Sequence, residues 1–140
     1  MSKNTDPIVE AFVKAEISYE DDPFTTSNVR YGYHESDHQF RLEGRINSER
    51  KILQIFCATQ FDITKTYRLV PHSPKDGEAQ LVYIRPSPFG GRYNFRSDSG
   101  ELQFVAEASG LHGFFKSFSA AVPDEFPDTD INGSFRVYPG

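Results

Sequence analysis

The chain reads as a single all-β domain, an antiparallel β-sandwich or flattened β-barrel of about eight to ten short strands, and three observations carry that reading. Apolar and polar residues alternate, most cleanly where Phe40, Leu42, Gly44 and Ile46 interleave with Arg41, Glu43 and Arg45. Successive side chains of a strand point to opposite faces, so period two marks a half-buried strand, whereas a helix needs apolar residues three and four apart. Turn-forming clusters such as Glu20-Asp21-Asp22-Pro23 and Asn47-Ser48-Glu49-Arg50 interrupt the alternation at short intervals. Thirteen Phe and seven Tyr, with ten Gly and nine Pro spread along the chain, favour strands and turns.

Residues 1–10 read as a frayed polar segment and 11–138 as the domain. Asp6-Pro7 is compatible with a short helix carrying Ile8, Ala11, Phe12 and Ala15, but Val13, Ala15, Ile17 and Tyr19 alternate, and a strand over about 11–19 is preferred. The turn at Glu20–Pro23 is expected to continue through Thr25 to Asn28. Val29 to Tyr33 is a short aromatic strand, and Phe40 to Ile46 the next. After the Asn47–Arg50 turn, Ile52 to Ala58 is apolar on both parities, which predicts a central strand covered on both faces. Tyr67 and Leu69 lie in another strand, closed by the run Pro71 to Gly77. Leu81 to Ile84 and Tyr93 to Phe95 flank the loop Pro86-Ser87-Pro88-Phe89-Gly90-Gly91. Three more strands follow. Leu102, Phe104 and Ala106 share one parity, Phe114, Phe118 and Ala120 another that Lys116 interrupts, and Ile131, Phe135 and Val137 a third with Gly133 in the place of a side chain.

The segments Phe40-Arg41-Leu42-Glu43-Gly44, Ser99-Gly100-Glu101-Leu102-Gln103-Phe104, Gly113-Phe114-Phe115-Lys116-Ser117-Phe118 and Asn132-Gly133-Ser134-Phe135-Arg136-Val137 together resemble a group of uncharacterised small bacterial all-β proteins, many of them Bacteroidetes lipoproteins. The likeness runs over roughly residues 38–137 and rests on Gly, aromatic and alternating positions. It implies the all-β fold and no activity.

Several function classes recede on composition. A net charge of −5 is the wrong sign for general nucleic-acid binding. No apolar run approaches the length of a membrane-spanning helix. Cys57 is the single cysteine, so no disulfide can form within the chain. Asp6, Glu10, Lys14 and Glu16 fall where the apolar centre of a signal peptide would lie, and the expected location is cytoplasmic.

His34 and His38 are four apart, but on a strand that spacing is about 13 Å, too far for one metal ion, and a solvated polar turn is the simpler reading. Asp128-Thr129-Asp130-Ile131-Asn132-Gly133 has the oxygen ligands and glycine that open a calcium loop, yet position twelve is Pro139 instead of a bidentate Glu. A polar turn entering the last strand is preferred, with Asp124 or Glu125 as conceivable recruits. Cys57, between Phe56 and Ala58, reads as inert packing. No nucleophile elbow, paired carboxylates or phosphate loop is present, so no catalytic residue, metal or cofactor is assigned.

The segment from Tyr83 to Arg96 is the most suggestive, with three arginines among aromatics in an acidic chain. Guanidinium groups grip carboxylate or phosphate and aromatics stack, which singles out Arg85, Phe89, Arg92 and Tyr93 as ligand-binding candidates. The competing reading is a hairpin with its rings in the core and its arginines in water. The expected function is a non-enzymatic binding module recognising a protein or charged small ligand through a loop end of the sheet. The alternatives are a barrel carrier of a small apolar ligand and, third, a hydrolase or other enzyme with no identifiable motif.

Overall fold

The structure, a computed structural model, describes residues 11–36, 38–105, 110–120 and 127–138. Alternation becomes strand throughout: β1 (Phe12–Ile17), β2 (Phe24–Thr26), β3 (Val29–His34), β4 (Gln39–Ile46), β5 (Lys51–Cys57), β6 (Tyr67–Leu69), β7 (Glu78–Pro86), β8 (Arg92–Arg96), β9 (Ser99–Val105), β10 (Leu111–Ser119) and β11 (Thr129–Val137). One sheet runs in the order β2-β1-β11-β10-β9-β6-β7-β5-β4-β3, with β8 also paired to β7. Its two ends are joined by only Ser27 and Asn28, so one bent segment borders β1 on one side and β4 on the other. The sheet is thereby nearly closed into a barrel. At the seam, Thr26 Oγ1 donates to the Arg45 carbonyl and Arg45 N to the Asn28 carbonyl.

β6 and β8 share one edge of β7. β6 lies parallel against Glu78 and Ala79, and β8 antiparallel against Val82 to Pro86. Ser97 fills the gap between them and is fully buried. Its Oγ accepts from Leu81 N at 3.0 Å and donates to the Val70 carbonyl at 2.9 Å, while its own N–H donates to the Leu81 carbonyl. A buried hydroxyl is tolerable there because both of its roles are filled.

The inward parity supplies the core, including Leu42, Leu53, Ile55, Tyr67, Leu81, Tyr83, Leu102, Phe115 and Phe135. At one end Phe61, from the loop between β5 and β6, stacks on Tyr31 at 5.0 Å and meets Phe104 at 5.3 Å and Phe135 at 6.0 Å. Phe61 N donates to Tyr31 Oη and Asp62 N to Tyr67 Oη, so two tyrosines pin this loop over the aromatic cluster.

Four expectations change. Phe24–Thr26, expected as turn, is a strand, because Phe24 enters the core against Tyr83. In β10 the inward residues are Leu111, Gly113, Phe115, Ser117 and Ser119, whereas Phe114, Lys116 and Phe118 face outward. Burying the Lys116 charge would cost more than leaving two phenylalanines partly wet. The inward position 113 takes glycine because a Cβ there would stand 2.5 Å from the Phe135 ring, whose volume fills the space. β5 is not covered on both faces: Leu53, Ile55 and Cys57 are buried, but Ile52 and Phe56 are half-buried on the outer wall, with the Arg41 guanidinium 5.1 Å above the Phe56 ring. Finally, Asp130 and Asn132 lie on the exposed side of β11, which starts at Thr129, so the polar turn expected there is already strand.

Cys57 is fully buried, and burial pushes its thiol up to about 12. Native protein at about pH 8 should therefore react with a thiol reagent far more slowly than denatured protein, since the thiolate is the nucleophile. Equal rates in the two states would put Cys57 at the surface.

Candidate functional site

Four sequence candidates belong to one hairpin, in which Arg85 pairs with Tyr93 and Pro86 with Arg92. Its loop is stapled from within. Ser87 N donates to the Gly91 carbonyl, Gly90 N to the Ser87 carbonyl, and Phe89 N to Ser87 Oγ at 3.1 Å. Gly90 and Gly91 adopt φ of 96° and 75°, a region where a side chain would be strained, so the pair sets the path of the turn. Phe89 stands at the tip, 91% exposed. Arg92 is exposed beside it, and Tyr93 is half-buried, edge-on to Phe95 at 6.2 Å.

Arg85 has a different position. It shares the inward parity of Leu81 and Tyr83, and at the end of β7 that parity points across the barrel mouth. There it meets Glu20, which the turn after β1 carries over the opening. Tyr19 in that turn has φ 68°, and Glu20 N donates to the Ile17 carbonyl. The Glu20 carboxylate, only 10% exposed, accepts from Tyr83 Oη at 2.9 and 3.1 Å, from Arg85 Nη1 at 3.1 Å and from Lys51 Nζ at 3.3 Å. Lys51 also pairs with Glu49 at 3.0 Å. Burial, reinforced by the Glu20 charge, raises the Tyr83 phenol far above its ordinary value, so it stays protonated and donates. Burial opposes the Lys51 charge, but Glu49 and Glu20 outweigh it and hold the ammonium above its usual range. A carboxylate held by three donors closes this end of the barrel. Sequence reasoning passed over Glu20 and Lys51. The available signal was Arg85 itself, a charge at an inward position near a strand end, which requires an acidic partner.

The other candidates are not drawn together. His34 ends β3 opposite Gln39, and His38 lies in the turn with Nδ1 3.2 Å from Tyr33 Oη. Among the described residues no group of three or more His, Cys, Asp or Glu is placed to hold a metal ion. Asp124 and Glu125 lie outside the described residues, as do residues 1–10 and Ala106. Among the described residues no helix is long and apolar enough to cross a membrane. No protein-family model, curated protein or solved structure matches this chain.

Proposed function

We propose that this domain is a non-enzymatic binding module that recognises a partner protein through the β7–β8 end of the barrel. The observation that carries the reading is Phe89: a large apolar side chain held 91% exposed on a turn that is hydrogen-bonded within itself. An ordered backbone presenting an unpacked ring loses little entropy when an apolar pocket takes it up. Arg92 adds a fork for a carboxylate at the rim, and Arg85, tied to Glu20, steadies the strand beneath. The alternative of an apolar-ligand carrier draws less support from a barrel whose interior is occupied by Tyr67, Tyr83, Phe115 and Phe135.

The test separates stability from recognition. Phe89→Ala should change the free energy of unfolding by no more than about 0.5 kcal/mol. Quantitative affinity capture on immobilised domain should retain at least one protein on the wild type and on Lys14→Ala, at an exposed site elsewhere, that is lost from Phe89→Ala and reduced on Arg92→Ala. An unchanged set of captured proteins, or a loss of several kcal/mol of stability at Phe89, would overturn the reading.

A further inference from the structure

One wall of the barrel is basic although the chain carries −5. The pairing aligns Arg30, Glu43, Gln54, Val82 and Arg96 in a single outward row across β3, β4, β5, β7 and β8. Arg45 stands in the outward row on one side and Arg41, over Phe56, in the row on the other. These three rows hold four arginines and one carboxylate, a local charge of +3. Glu43 is nearly buried at their centre, and its oxygens are already engaged by Arg45 Nε and Gln54 Nε2. Arg30 and Arg96 are exposed and form no ion pair among the described residues. Between Arg30 and Arg45 the surface sinks into a recess of about 250 Å³, bounded also by Asn28, Glu43 and Asn47. Beside Arg41, Gly32 leaves the wall open, with no atom within 4 Å of where a Cβ would lie.

We propose that this wall docks an extended acidic segment of a partner protein, with one carboxylate in the recess against Arg30 and Arg45 and others met by Arg41 and Arg96. Charge complementarity selects this occupant. A −5 chain repels acidic polymers in general, so a +3 wall draws them to one place and one orientation. Guanidinium forks match carboxylates in pairs of parallel hydrogen bonds. Four interstrand gaps of about 4.8 Å separate Arg30 from Arg96 by about 19 Å, the reach of about six extended residues. Single-stranded nucleic acid fits less well. It needs open aromatic platforms, and the Phe56 ring on this wall is capped by Arg41. Phe89 and Arg92 belong to none of these three rows, so failure of either proposal leaves the other standing.

The experiment titrates the full chain into a fluorescein-labelled peptide of about ten glutamates and reads anisotropy at about 50 mM and about 300 mM salt. Saturable binding is expected at low salt, weaker at high salt. The Arg30→Ala/Arg96→Ala double variant should weaken it at least about tenfold, while Lys14→Ala/Lys116→Ala, on the opposite wall, should leave it unchanged. All four positions are exposed, and matching circular dichroism spectra will establish that the variants fold. Absence of saturable binding, equal loss in both double variants, or tighter binding of a labelled oligothymidylate of equal charge would each overturn the proposal.

Discussion

Phe61→Ala should lower the free energy of unfolding by about 3–5 kcal/mol. Phe61 is 6% exposed, and its ring is shared by Tyr31, Tyr67, Phe104 and Phe135. Those four rings come from β3, β6, β9 and β11, strands far apart in the chain, so the surroundings can collapse only partly into the space vacated. The aromatic contacts are lost in addition to the area. Phe61→Leu, which keeps most of the volume, should cost less than about half as much. Chemical denaturation of both variants beside Phe89→Ala checks the account, because the same residue type is predicted to matter greatly at one end of the barrel and hardly at all at the other. A Phe61→Ala loss below about 1 kcal/mol would mean that the loop between β5 and β6 does not seal the core.

Glu20→Ala should cost about 2–3 kcal/mol. The substitution leaves the Tyr83 phenol, which is fully buried, without its carboxylate acceptor. It also removes the ion-pair partner of Arg85, but that side chain is 35% exposed, so solvent recovers part of the loss. Lys51 keeps Glu49. Tyr83→Phe is the informative comparison. It deletes one donor while Glu20 retains Arg85 and Lys51, so its cost should be nearer about 1 kcal/mol. If Glu20→Ala proved as mild as Tyr83→Phe, the charged groups at the mouth would contribute nothing beyond one hydrogen bond.

The two losses have a common origin in residues that no local pattern marks. Phe61 sits in an irregular segment after Ala58, and nothing in its neighbourhood signals that it faces inward. Glu20 looked like an ordinary turn residue in Glu20-Asp21-Asp22-Pro23, yet its partners Tyr83 and Arg85 lie 63 and 65 residues away.

Local pattern was enough to read the all-β class, the strands from Phe40 to Ile46 and from Ile131 to Val137 and the exposed turn at Phe89. Each depends on the side-chain period of a single strand or on turn chemistry within a few residues. Cys57, by contrast, was expected inside because of the apolar run around it and is buried by its parity with Leu53 and Ile55. Which face turned inward in β10 depended on Lys116, whose charge outweighed two phenylalanines once the barrel had an inside. The division of the arginines was likewise beyond local reading. Arg85 was assigned to Glu20 by a turn that crosses the mouth, and Arg30 and Arg96 joined one wall because four consecutive strand pairings bring positions 66 residues apart into one row. Alternation in one strand says which residues share a face, whereas the neighbour across the sheet is chosen by long-range pairing and barrel closure, and charge clusters form only between neighbours.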